Sequence, residues 1–203
     1  MQHTTTNEKS MLRLLRGIIP NRQIGQHEHR RIAELQANKL RSYLGVAGSM
    51  LDSENITQLP HLELRFDEKL PTSGMSFWNG QTWVILLNPT EATTRQRFSL
   101  LHELHHIICH TKQRLLFGEN AERNDPAAEQ MADYFAACAL MPKRHVKRLH
   151  GEGIHNAQHL AHHFNVSQVA MKYRLDQLGL HSFITRCGFS RSSFRRQRRG
   201  FRT

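Results

Sequence analysis

The feature that most constrains this chain is a change of hydrophobic period near residue 90. Leu62, Leu64 and Phe66 alternate with polar residues, and two further apolar runs, Met75 to Trp78 and Thr82 to Leu87, flank Asn79-Gly80. A period of two marks a half-buried strand, and Asn-Gly between two such runs is the strongest short hairpin signal. Three antiparallel strands are the economical reading. From about Glu91 to His110 the period turns helical, and it stays helical beyond.

The flanking segments follow from their punctuation. Gln26 to Leu44 reads as an amphipathic helix with Ile32, Leu35, Leu40 and Leu44 near one face and Gly45 as its stop. Residues 1 to 25 are polar and mixed, and most of them are expected to be loosely ordered. Thr111 to Asn124 reads as a polar loop. Asp125-Pro126 then looks like an N-cap with proline at the first helical position, opening a helix that runs to Met141 and is ended by Pro142. A short basic helix, a second near Asn156 to Phe164 and a third from Ser167 to Leu178 follow, with Gly179 at C′.

Charge is informative once it is located. The chain of 203 residues carries 28 Lys and Arg against 17 Asp and Glu. Residues 1 to 142 balance, so the whole excess of +11 lies between Lys143 and Arg202, opposed only by Glu152 and Asp176. Arg186, Arg191, Arg195, Arg196, Arg198, Arg199 and Arg202 belong to a Ser- and Gly-containing tail with Phe189, Phe194 and Phe201 among them. Such a tail is expected to be disordered and to hold a polyanion weakly through counterion release, with Arg191, Arg195, Arg196, Arg198 and Arg199 as contacts and the phenylalanines stacking on unpaired bases. No apolar run approaches the roughly 18 residues a membrane span requires, so no membrane association is expected. Met11 to Ile19 is broken by Arg13 and Arg16 and lacks a small-residue cleavage site, which argues against a secretory signal. Cys109, Cys138 and Cys187 are odd in number and lack metal-ribbon spacing, so reduced thiols and a cytoplasmic location are expected.

The chemistry lies in Phe98 to His110. His102 and His106 are four apart on a predicted helix, so their imidazoles share a face and can share one metal ion. Glu103 sits a quarter turn around, beside the metal rather than on it, where it can take a proton from water. Two imidazoles suit zinc, and a catalytic site needs a third ligand with one position left open. Glu129, near the start of the next strong helix, is the best candidate. Asp133, one turn later, is placed to accept the free N–H of a ligand histidine. His105 points away from this face and reads as a solvated or loop-bonding residue. His110 reads as packed or hydrogen-bonded rather than a fourth ligand. Cys109 and Cys138 read as small buried residues.

Gly74-Met-Ser, Trp83-Val-Ile-Leu-Leu-Asn88, Arg97-Phe-Ser-Leu-Leu-His-Glu-Leu-His-His106, Glu129-Gln-Met-Ala-Asp-Tyr-Phe-Ala136 and Leu140-Met-Pro142 together resemble the ImmA/IrrE family of metallo-endopeptidases, over roughly residues 30 to 180. The chain departs from the family's habits at His105, often Gly, at Met131, often Glu, and at Asp133, usually Asn. None of these removes a ligand or the base. The resemblance implies an α+β peptidase with a thermolysin-like site: a small antiparallel three-stranded sheet on a helical zincin-like core, with one Zn2+ held by His102, His106 and Glu129 and with Glu103 as general base. The expected organisation is a zinc metallopeptidase domain over residues 26 to 142, a basic helical extension over 143 to 185 packed on it, and the tail over 186 to 203. The expected substrate is a specific protein, such as a helix-turn-helix repressor or antitoxin-like partner encoded nearby.

Two other classes compete. Leu160 to Leu180 has the rhythm of a helix-turn-helix, with Asn165-Val166 as the turn, Ser167 as a cap, and Gln168, Lys172 and Arg174 able to face a duplex. The chain would then be a transcriptional regulator with a structural zinc, or a non-proteolytic member of a toxin–antitoxin pair. Glu103 discriminates, because a purely structural site has no use for a carboxylate beside the metal.

Overall fold

The computed structural model describes residues 10–48, 50–118 and 125–180. In chain order these form helices α1 (Met11–Arg16), α2 (Gln26–Tyr43) and α3 (Ser53–Thr57), and strands β1 (Leu62–Phe66), β2 (Gly74–Trp78) and β3 (Trp83–Leu87). Helices α4 (Thr93–Cys109), α5 (Gln113–Phe117), α6 (Pro126–Leu140), α7 (Lys143–Gly151), α8 (Ala157–Phe164) and α9 (Gln168–Gln177) follow, with a 3-10 turn at His110–Lys112. The class is α+β. No described helix is long and apolar enough to cross a membrane. The basic tail, including Arg191, Arg195, Arg196, Arg198 and Arg199, lies outside the described residues.

Local signals explain most boundaries. The Asp125 side chain accepts from the Ala127 N–H at 2.8 Å, and Pro126 opens α6. Asn156 caps α8, and the helix ends where Asn165 turns left-handed (φ +50°). Ser167 caps α9 through the Ala170 N–H, and Gly179 follows it at φ +67°.

The sheet is mixed rather than antiparallel. Its order is β1-β3-β2, with β2 antiparallel to β3 and β1 parallel to β3. Asn79-Gly80 makes the expected β2–β3 turn, where Asn79 Oδ1 accepts from the Gln81 and Thr82 N–H groups and Gly80 takes φ +101°. What alternation cannot encode is which edge β1 joins. The segment after β1 rounds the end of β3, held by the Asp67 N–H on Leu87 O and by Asn88, which donates to Leu70 O and Ser73 O. β1 therefore reaches the far side of β3, and β2 is left as an edge.

Helix α6 packs against both α2 and α4. Its alanines at 128, 132, 136 and 139 are buried and let the backbones approach, while Phe135 is fully enclosed. Each large apolar side chain enclosed this way contributes about 1.5–3 kcal/mol. On α2 the inward face is Ile32, Ala33, Gln36, Ala37, Leu40 and Arg41, whereas Leu35, expected inside, is exposed. Two stretches read as irregular are partly helical. Helix α1 lies in the segment expected to be loose, with Met11 and Leu15 in the core, and α5 lies in the expected polar loop, with Leu116 buried. Helices this short are not stable alone, and it is packing of their apolar residues on the core that holds them.

Four arginines reach from one element to the carbonyl end of another. Arg16 donates to Ile107 O and Ile108 O of α4, and Arg41 to Ala139 O of α6 and to Gly48 O. Arg97 of α4 donates to Leu51 O, Phe164 O and Asn165 O, and Arg174 of α9 to Met141 O. Cations at helix C-termini meet the negative end of the helix dipole and satisfy orphan carbonyls.

Candidate metal centre

Helix α4 places its chemistry on the face turned from the core. His102 and His106, one turn apart, have ring centroids 4.8 Å apart, and their Nε2 atoms approach to 3.0 Å. Glu129, in the first turn of α6, brings one oxygen to 3.1 Å from His102 Nε2 and the other to 3.2 Å from His106 Nε2. Among the described residues, His102, His106 and Glu129 are the one group of three or more donors that could hold an ion. The donor chemistry fits zinc. His102 Nδ1 lies 2.8 Å from Asp133 Oδ1, and since a carboxylate only accepts, Nδ1 carries the hydrogen and the neutral ring presents its lone pair at Nε2. A tetrahedral zinc with bonds of about 2.0–2.2 Å sets neighbouring donors about 3.3–3.5 Å apart, close to the separations present.

Electrostatics favour a cation at this point. Burial opposes protonation of His102, but the hydrogen bond to Asp133 and the charges of Asp133, Glu103 and Glu129 outweigh it and raise its pKa above the ordinary value. Three carboxylates thus surround two imidazoles. Either a proton or a metal ion relieves their mutual repulsion.

Glu103 is buried and is not one of the three grouped donors, though it lines the same cleft. Its Oε2 accepts from Ser76 Oγ at 2.7 Å. Ser76 is buried on β2, so the sheet positions the carboxylate that α4 carries. Gly74, two residues earlier, leaves room for it: a Cβ there would lie 3.3 Å from Glu103 Cγ, 3.2 Å from Leu87 Cδ2 and 3.4 Å from Ser99 Cβ. Side-chain spacing along the sequence gives no sign of either residue's part, because both reach Glu103 across more than 25 positions.

The cleft over the triad has a volume of about 1340 Å3. Its walls include Leu70 to Met75 on the β2 side, Phe98 of α4, Tyr134 of α6, and Val169 and Tyr173 of α9. Met75, Val169 and Tyr173 are exposed apolar residues. β2 is an edge strand, so its outer side faces no other strand among the described residues.

Other expectations are corrected here. His105 is 1% exposed, stacked 4.9 Å from Phe135 and 3.5 Å from Cys109 Sγ, so it is a core residue rather than a solvated one. Burial, then the neighbouring His106 and His102, holds its pKa well below the usual range. His110 packs its ring 5.0 Å from Trp83, in keeping with a packing role. Cys109 is buried with its thiol pushed up to about 12, and Cys138 to about 11, so both are inert. Arg174 cannot read a duplex. It is 1% exposed, with its guanidinium 5.6 Å from the Tyr134 ring and hydrogen-bonded to Met141 O. Gln168 and Lys172 are exposed.

Comparison with known proteins bears on the same residues. The family model Peptidase_M78, described as the IrrE N-terminal-like domain, matches residues 66–176. Among solved structures, a Mycobacterium tuberculosis transcriptional regulator aligns with a TM-score of 0.51 at 20% identity, over 83% of this chain and 52% of that one. This chain thus spans about half the length of that regulator, and a likeness at this identity concerns the fold. No curated protein matches the chain. The matched residues span more than half of the sequence and include β2, β3, α4 and α6, the elements that carry Ser76, His102, Glu103, His106 and Glu129, and the chain belongs to the ImmA/IrrE family.

Proposed function

We propose that the chain is a zinc-dependent endopeptidase that hydrolyses peptide bonds in a specific protein substrate. The observation that carries this reading is the placement of Glu103: a buried carboxylate in the same cleft as the donor triad, outside that triad and hydrogen-bonded by Ser76. A structural zinc site is closed by its ligands and gains nothing from such a group. His102, His106 and Glu129 would hold the ion, and Asp133 orients His102 from behind. When bound, zinc supplies Lewis acidity to a peptide carbonyl and lowers the pKa of water toward 7, from about 15.7. Glu103 takes the proton of the attacking water on its carboxylate and returns it to the departing amine. The Ser76 hydroxyl donates to that carboxylate and keeps it aimed. An extended substrate segment lies along the outer side of β2, adding main-chain hydrogen bonds as a further strand would.

The substrate best suited to a chain of this family is a DNA-binding repressor or an antitoxin-like partner encoded nearby. The alternative of a DNA-binding regulator with a structural zinc has less support, because Arg174 is buried and Val169, Ala170 and Tyr173 of α9 line the metal cleft. The test is bound zinc and substrate cleavage in wild type and Glu103→Gln. Zinc content is expected to be unchanged while cleavage falls about 10^2- to 10^4-fold, the usual worth of a general base. Full activity in Glu103→Gln overturns the assignment. Incubating the chain with the product of the neighbouring gene, with and without chelator, tests the substrate.

A further inference from the structure

Next to the main cleft lies a second hollow of about 300 Å3. Its walls are Ser76, Phe77, Trp78, Trp83, His110 and Gln113, and it shares His106 with the metal cleft. The aromatic walls form one chain of contacts, with Trp78 and Trp83 rings 5.6 Å apart and Trp83 and His110 rings 5.0 Å apart. Trp78 is 49% exposed and Phe77 36%. Large aromatic surface gathered beside a reactive centre marks a contact site rather than incidental exposure.

Three properties define what fits. No Asp, Glu, Lys or Arg lines the hollow, and its polar lining is confined to Ser76, His106, His110 and Gln113, so a carboxylate entering it would lose hydration without meeting a fixed opposite charge. Its volume stands at the bottom of the range for ligand pockets, which start at about 300 Å3, enough for one large side chain and not for a cofactor. It also adjoins the metal cleft, because His106 lines both and Ser76 holds Glu103. β2 runs from the main cleft, which Gly74 and Met75 line, to the hollow, which Ser76, Phe77 and Trp78 line. A segment laid along this edge strand passes the triad and reaches the hollow within a few residues.

We infer that the hollow is a specificity pocket that takes one bulky apolar side chain, aromatic or leucine-like, of an extended peptide lying along β2 beside the metal centre. That the neighbouring bond is the one cleaved rests on the peptidase reading above; the side-chain preference does not.

The two tryptophans of the chain are Trp78 and Trp83, so intrinsic fluorescence reports on this hollow directly. Zinc-loaded, full-length Glu103→Gln is titrated with blocked peptides of otherwise Ala and Thr sequence that carry Phe, Leu, Ala or Asp at one central position. The Phe and Leu peptides are expected to shift the emission at concentrations about tenfold or more below the Ala peptide, as a well-filled apolar pocket discriminates, and the Asp peptide not to shift it. In Trp78→Ala the remaining Trp83 signal is expected to lose this preference, with zinc content and circular dichroism unchanged. Equal titration by all peptides overturns the pocket. A shift produced by oligothymidylate and not by the peptides overturns it too, assigning the aromatic walls to bases, as does a shift on raising protein concentration alone. Absence of Glu103-dependent cleavage in wild type would instead count against the peptidase reading, leaving the binding result to stand by itself.

Discussion

Glu103 is positioned by neighbours that are remote in the chain. Ser76 supplies the hydrogen bond and Gly74 the space. Replacing Ser76 with Ala is expected to lower kcat about tenfold or more, the size of one hydrogen bond to a charged group, with zinc content unchanged. A fall in zinc instead would mean that Ser76 serves the fold and not the base. Asp133 acts from behind His102, so Asp133→Ala is expected to weaken zinc binding about 10- to 100-fold, as removal of such supports usually does. Competition with a chromophoric chelator measures this, and wild-type affinity in the variant would show that the 2.8 Å contact orients nothing. The histidines, Glu103, Glu129 and Asp133 are legible in the sequence because helical spacing translates directly into a shared face. The parts Ser76 and Gly74 play toward Glu103 and the burial of His105 are not, since they depend on what faces α4 across the sheet or the core.

Among the elements, the buried arginines tie the periphery to the helices that carry the donors. Arg97 joins α4 to the α8–α9 turn and to Leu51, and burial lowers its pKa because a charged guanidinium gives up hydration there. Removing it strands the Leu51 and Phe164 carbonyls in the interior. Arg97→Ala is expected to reduce unfolding free energy by about 3 kcal/mol, within the range for breaking a buried charged hydrogen-bond network. Urea denaturation measures the loss, with exposed Arg31→Ala as the control expected to change it by under about 0.5 kcal/mol. Parallel behaviour of the two variants would show that the network is dispensable. The helix pair α8–α9 has the caps and turn a helix-turn-helix would have. Its local sequence is silent on whether α9 faces a duplex, and the buried Arg174 together with Val169 and Tyr173 along the cleft turns α9 toward the metal centre.

Across the whole molecule, the metal would bridge α4 and α6, the two helices whose packing with α2 organises the core. Binding to the native state alone stabilises by mass action, by about 4 kcal/mol at a thousand times the dissociation constant. Chelation is therefore expected to lower Tm, zinc to restore it, and Glu129→Ala to abolish most of the difference; an unchanged Tm on chelation in wild type would remove the bridge. The basic excess beyond Lys143 gives a further expectation, weak and salt-sensitive oligonucleotide binding that disappears when residues 186 to 203 are deleted. Unaltered affinity after that deletion would place the binding elsewhere.

By itself the amino-acid sequence determined the helices α2, α4 and α6 to α9, the caps of α6, α8 and α9, the β2–β3 hairpin and the spacing of the candidate metal donors. Each of these is local, written in periods of 2 and 3.6 residues or in a few residues with special backbone preferences. Tertiary structure decided which edge of β3 received β1, that α1 docks on the core, that His105 and Arg174 are interior residues, and that Ser76 reaches Glu103. Those outcomes depend on the direction of connecting segments and on which faces meet once apolar surface is removed from water, and short-range pattern carries neither.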